Sequence, residues 1–435
     1  MLEPEIANFI VRYNASSGPL VGIPRQTVFI LPGGMASRLV RAKKAFDPTG
    51  PPNQVFAYDE LWLNVFTLLG GEARNLKMTR VAPGDYRDKG NRIIVADGLT
   101  NLFSVTPYIG FIEWCELFKL DYFVFPWDWR RNIYDIGDLF INRFLPHFQN
   151  LVINGCNGAD PLDRFSLIGH SAGGMLVNWA LRSAAPIMSG LDKAITVAAP
   201  FYGYGGQLHR WFEGEAFLNG MFNQFRQDII RAICSFSGCY AWQFMPHPVY
   251  LANEVALTAD PNYPLPVYPS VDLTTGVIAD PYDPQTNGAL ARYPSTSASG
   301  FDLVELASAE ALVTFLASSL TPIQAGKFWN IRADTTAGNT LHETTWDWVP
   351  PTDPTPITDV TVTPGDGVQP AWTTRHVDLD ALPLEPTRLQ FVRSCRRAAR
   401  LRLRVRPQSE RVRKRALRAS RKRARHTGIK ALGRG

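Results

Sequence analysis

Apolar and polar positions divide the chain into short buried strands that alternate with amphipathic helices. Apolar runs at Thr27 to Leu31, Tyr122 to Phe125, Phe165 to Ile168, Ala194 to Ala198 and Lys327 to Arg332 read as strands. Helical period appears in Phe111 to Leu120, in the series Ile136, Leu139, Phe140, Phe144 and Leu145, in the face Met175, Leu176, Trp179 and Ala180, and in Glu305 to Leu320. Residues 1–26 read as a polar lead-in, and Arg92 to Val95 as an edge strand. Strand and helix in alternation predict an α/β fold, with a mostly parallel central sheet, right-handed crossovers and helices on both faces.

The alternation stops after Phe201-Tyr202-Gly203 for more than a hundred residues. Within this insertion Phe217, Met221, Phe225, Ile229 and Ile233 fall every fourth residue beside Leu218 and Phe222. The pattern predicts an amphipathic helix rich in aromatics, which either packs as a lid on the core or borders an acyl-chain pocket or lipid surface. The expected organisation is a core in two parts, 1–203 and 321–392, a cap or lid insertion at 204–320, and a tail at 393–435.

Composition changes the picture at one end. The net charge of +6 conceals a tail that carries 19 Lys and Arg against Glu410 alone from Arg388 onward, leaving 26 basic and 38 acidic residues in the body. Such a tail has no core-forming period and is expected to be disordered. Three readings stay open for it: electrostatic contact with anionic lipid or nucleic acid, a solvated extension, or a shifted reading frame. The last follows from the abrupt change of composition after Val392 and from 16 of the 19 basic residues being arginine.

Five cysteines, Cys115, Cys156, Cys234, Cys239 and Cys395, suit buried free thiols better than a disulfide framework, and no spacing resembles a zinc site. No cofactor or metal is called for. The N-terminus lacks a basic segment followed by an unbroken apolar run, and Leu102 to Trp129 is interrupted by Glu113, Glu116, Lys119 and Asp121. The expectation is a cytoplasmic or peripheral membrane protein without a spanning helix.

The chemistry centres on Gly169-His170-Ser171-Ala172-Gly173, set between an apolar strand and a helical pattern. A GxSxG sequence in that context is a nucleophile elbow, a sharp turn that raises the serine above the sheet edge at a helix N-terminus. Ser171 is therefore the candidate nucleophile and the Ala172 N–H a candidate oxyanion donor. Pro32-Gly33-Gly34-Met35, directly after the first strand, is placed to supply a second N–H. Asp366, between Gly365 and Gly367, is a carboxylate suited to orienting a histidine.

These pieces resemble the lecithin:cholesterol acyltransferase family of α/β hydrolases, through VFILPGGMASRL from Val28, FPWDWR at 125–130, LIGHSAGG at 167–174, ITVAAPFYG at 195–203 and PGDGVQP at 364–370. The resemblance implies an α/β-hydrolase fold with a cap and an acyl-enzyme mechanism on lipid esters. It implies Ser171 as nucleophile, Asp366 as triad acid, and the N–H groups of Gly34 and Ala172 as oxyanion hole. Asp334 is a rival acid, close after a strand but without flanking glycines. The base must follow the acid, which leaves His376 and His426. His376 is the candidate, although it lies before the last expected strand, Leu389 to Val392, instead of after it. His147, His209, His247 and His342 precede the acid, and His170 reads as packing behind the elbow.

Overall fold

A computed structural model describes residues 3–15, 25–42, 58–62, 76–82, 85–88, 94–100, 108–156, 160–204, 207, 226–258, 268, 270–272, 278, 280–283, 302–331, 335–341, 344–346, 357–359 and 362–365. They belong to a compact unit, Met1–Ala381; a second unit, Leu382–Gly435, which includes the basic tail at 393–435, lies outside the described residues.

Five parallel strands make the central sheet. They are β1 (Thr27–Leu31), β2 (Asp121–Val124), β3 (Phe165–His170), β4 (Leu191–Val197) and β5 (Phe328–Ile331), in the spatial order β5-β4-β3-β1-β2. Each of these five strands meets an expected one, with ends displaced by zero to three residues, and the expected strand Leu389 to Val392 lies outside the described residues. Helices cover both faces, so the fold is α/β with a parallel sheet, as the alternation predicts.

Residue parity in β1 decides which face is which. Phe29 and Leu31 point into the main core, whereas Val28 and Ile30 pack against a smaller cluster around Cys115 on helix α2 (Ile109–Leu117). The main face is aromatic. Phe29 meets Phe140, Phe144, Phe148 and Phe165 edge to face, with centroids 5.1 to 6.2 Å apart. Edge-to-face pairs contribute about 0.5–1.5 kcal/mol each beyond their buried area.

Phe140, Phe144 and Phe148 are spaced by four, a step that drifts around an ordinary helix. The chain answers with a π-helical stretch, Leu139–Phe144, between α3 (Ile133–Asp138) and α4 (Leu145–Gly155), whose wider turn lets all three rings stay buried.

Three expectations change. The N-terminal lead-in is a helix, α1 (Glu3–Ala15), with Ile6, Phe9 and Tyr13 buried in the main core and Phe9 against Phe123 and Phe148. Its apolar spacing of three and four is helical, but the polar residues between hide it. The edge strand near residue 92 is Ile94–Leu99, which belongs to a separate antiparallel sheet with Ser37–Ala42 and Tyr58–Trp62. The elbow helix α5 (Ala172–Leu181) is enclosed on more than the expected face, because α3 and α8 (Leu303–Ala317) pack against it as well. Of the cap helix, only α6 (Arg226–Cys234) is described, with Ile229, Ile230 and Ile233 buried; Phe217, Leu218, Met221, Phe222 and Phe225 lie outside the described residues. The remaining labelled helices are α7 (His247–Thr258) and α9 (Pro322–Lys327). Cys115, Cys156, Cys234 and Cys239 are buried free thiols.

The string Phe125 to Arg130 has a structural task. Arg130 is 1% exposed and donates two hydrogen bonds to the Asp128 carboxylate, at 2.8 and 2.6 Å, and one to the Leu76 carbonyl. Removing one member of a buried pair strands the other in low dielectric. Asp128→Ala is therefore expected to destabilise the fold by about 3–5 kcal/mol, measured by urea unfolding.

Candidate active site

The sheet order places a crevice before any catalytic argument is made. From β1 the chain moves to β2 on one side, then returns to β3 on the other, so the loops leaving β1 and β3 diverge from neighbouring strands. In open parallel sheets ligands bind at such a switch point, outside the carboxyl ends of the strands. The loop after β1 begins at Pro32, and the residue after β3 is Ser171.

Ser171 has φ 52° and ψ −127°, a conformation that costs a side-chain-bearing residue about 1–3 kcal/mol. It persists because its neighbours leave no alternative. The Ser171 N–H donates to Val197 C=O at 2.9 Å and the Gly174 N–H to Ser171 C=O at 2.8 Å. A Cβ on Gly173 would stand 2.2 Å from the Leu31 carbonyl oxygen, and one on Gly169 2.2 Å from the Gly173 carbonyl oxygen. Both glycines are thus required by close backbone approach, and the turn is a formed elbow with Ser171 half-buried at its tip. Ala172 occupies the first position of α5, where an N–H has no intrahelical acceptor.

The loop after β1 is clamped from several sides. Trp127 Nε1 donates to Pro32 C=O at 2.8 Å, the Trp127 N–H to Ser37 Oγ at 3.1 Å, and Trp129 Nε1 to Ser37 C=O at 3.2 Å. Trp62 Nε1 holds Met35 C=O at 2.8 Å, and Met35 itself has φ 65°. The indole of Trp242 lies over Gly34, where its ring carbons would stand 2.3 to 3.1 Å from an added Cβ.

Tyr108 joins the two exits. Its Oη accepts the Gly33 N–H at 2.8 Å and lies 2.9 Å from His170 Nδ1. Burial pushes the phenol up to about 12, so it keeps its proton at neutral pH. Which of Tyr108 Oη and His170 Nδ1 donates in their contact depends on the imidazole tautomer. Of the two glycine amides, Gly33 is committed to Tyr108; no acceptor among the described residues takes the Gly34 N–H.

The remaining sequence candidates fall as follows. Asp366, His376, the rival Asp334, His209, His342 and His426 lie outside the described residues. Their flanks carry one useful fact: Gly365, just before Asp366, pairs with Thr335, just after Asp334, in an antiparallel ladder. Thr335 is four residues beyond Ile331, the end of β5, a span of at most about 14 Å. His147 is exposed on α4, and His247 meets the Tyr268 ring edge to face at 4.8 Å. Among the described residues no group of His, Cys, Asp or Glu could hold a metal ion, and no helix is long and apolar enough to cross a membrane.

Sequence reading missed Tyr108 and Trp242. Tyr108 follows no period and starts α2 from a left-handed conformation, φ 69°. Trp242 sits in a stretch read as loop, where the density of aromatic residues was the only signal.

No family model and no curated protein sequence matches the chain. Among solved structures it is similar to a chain in the crystal structure of the Tle4-Tli4 complex, with a TM-score of 0.40 and 13% identity over 82% of this chain and 90% of that one. At that distance the function rests on the chemistry of the site itself.

Proposed function

We propose that the protein is a serine acyl hydrolase or O-acyltransferase that forms an acyl-enzyme on Ser171 from a lipid ester. The observation that carries this is the strained Ser171 at a glycine-enforced turn, standing at the sheet's switch point beside a clamped Gly-Gly loop. Strain at a half-buried polar residue serves no packing purpose. The motif resemblance to the lecithin:cholesterol acyltransferase family supports the same chemistry and a lipid substrate.

In the proposed reaction the Ser171 hydroxyl attacks the ester carbonyl while His376, oriented by Asp366, takes its proton. The carbonyl oxygen becomes the oxyanion between the N–H groups of Gly34 and Ala172. The protonated histidine then gives its proton to the departing alcohol, and water or a second alcohol releases the acyl group. Insertion 204–320 would serve as the cap and the basic tail as a contact for anionic lipid surfaces.

A fluorophosphonate probe tests the nucleophile directly. The folded protein is expected to label at Ser171, located by peptide mass spectrometry. A folded chain that never reacts would make it an inactive scaffold. Tyr108→Phe is expected to lower kcat about tenfold with little change in KM, because one hydrogen bond fixing the oxyanion loop is lost and no substrate contact is removed.

A further inference from the structure

We propose that the roof against the oxyanion loop contains an uncharged polar subsite, built from Gln207 and Trp242, which takes the hydroxyl groups of a neutral polyhydroxy alcohol esterified to the acyl chain. The inference deepens the acyl-enzyme reading and rests on it.

Two stretches of chain make the roof. One leaves β4 at Val197, whose carbonyl holds the Ser171 N–H, and reaches Gln207. The other, residues 236–245, brings Trp242 onto Gly34. They are stitched together: the Tyr204 N–H donates to Trp242 C=O at 2.7 Å, the Met245 N–H to Tyr202 C=O at 3.4 Å, and the Gln207 N–H to Tyr204 C=O at 3.2 Å. Gly203, at φ 92°, lies so close that a Cβ would stand 2.1 Å from the Gln243 carbonyl oxygen.

Within this unit the side chains of Gln207 and Gln243 are 0% exposed and Trp242 is 5% exposed. Both amide atoms of Gln207, and Trp242 Nε1, have no hydrogen-bond partner. Gln243 is placed differently, since its side chain is hydrogen-bonded to the Tyr282 phenol, whose proton goes to Tyr240 C=O at 2.9 Å. Buried polar groups are almost always partnered. Two that are not, in one stitched unit against the oxyanion loop, offer donors and an acceptor suited to hydroxyl and carbonyl groups.

The charge pattern narrows the ligand. No described residue of the roof, 197–204, 207 and 236–245, carries a charged side chain, and the buried Arg130 is bonded to Asp128. A phosphate head group would meet its full desolvation cost there, the more so with the Asp280 and Glu310 carboxylates acting on nearby Tyr282, whereas glycerol-type or sugar hydroxyls can pair with these groups.

The test uses decanoyl esters of glycerol and methanol. In the Ser171→Ala protein, which binds without turnover, monodecanoylglycerol is expected to stabilise against heat with an affinity about tenfold tighter than methyl decanoate; Ser171→Ala/Gln207→Leu is expected to lose that preference. In the parent protein, Gln207→Leu is expected to lower the kcat/KM ratio of the glyceryl over the methyl ester about tenfold. Decanoyl lysophosphatidylglycerol is expected to be a poorer substrate than monodecanoylglycerol. Leucine removes the unpartnered atoms at similar bulk, so Tm should hold or rise. A Tm that drops by several degrees with an unchanged ratio would mean that the Gln207 amide holds structural water only, and would overturn the subsite. Equal affinity for the two neutral esters, or preference for the phosphate-bearing one, would overturn it too. A binding preference without Ser171-dependent hydrolysis would leave the subsite standing and remove the acyl-enzyme reading.

Discussion

Ser171→Ala is expected to reduce ester turnover by about 10⁴- to 10⁶-fold, the range seen when a serine nucleophile is removed from a group of residues that act as a unit. The reduction should appear in kcat, because the hydroxyl is the atom that forms the new bond and contributes little to holding the ground state. The fold should survive, since the hydrogen bonds that set the turn use backbone atoms, Ser171 N–H to Val197 C=O and Gly174 N–H to Ser171 C=O. The measurement is turnover of a p-nitrophenyl ester beside far-UV circular dichroism of parent and variant. Parent-like turnover in a folded Ser171→Ala protein would move the nucleophile elsewhere.

Asp366→Asn is expected to lower kcat by about 10⁴-fold, the cost of giving a triad histidine the wrong tautomer. Asp334→Asn is the control. The two carboxylates are hard to separate by position, because Thr335 and Gly365 are paired. Thr335 and Gly365, the described neighbours of the two acids, lie at the same end of that ladder, a few residues from the end of β5. What separates them is local chain: Asp366 stands between two glycines, so backbone N–H groups can approach its carboxylate, and Asp334 does not. A large loss in Asp334→Asn with near-normal rates in Asp366→Asn would exchange their roles.

Much of the architecture was legible because it rests on short-range pattern. Four or five apolar residues bounded by turn formers can only be a buried strand in a chain of this length, and β1, β3 and β4 appear where the pattern puts them. The elbow was legible for a related reason: the glycines of GxSxG answer a backbone contact, Gly173 against Leu31, that no other residue type allows. Helix α1 was not legible, because its buried face, Ile6, Phe9 and Tyr13, is one residue wide and acquires meaning only against Phe123 and Phe148.

The antiparallel sheet at Ser37–Ala42 escaped for another reason. Its strands mix apolar and charged positions without a clean alternation, and their partners lie more than fifteen residues away in sequence. Within the site, Ser171 and the Gly-Gly loop follow from sequence, whereas Tyr108 does not. It reaches Gly33 across 75 positions and His170 across 62. Links of that length are set by topology, and no local period announces them.

The phenol that bridges the ends of β1 and β3 ties the behaviour of the site to that of the scaffold. Three of the groups that fix the loop after β1, Trp127, Trp129 and Tyr108, are also buried or nearly so, and two of them belong to the main core. The geometry is thus established once, during folding, and little reorganisation is left for the encounter with an ester. On heating, inactivation should follow the melting curve of the core, with no separate softening of the pocket at lower temperature.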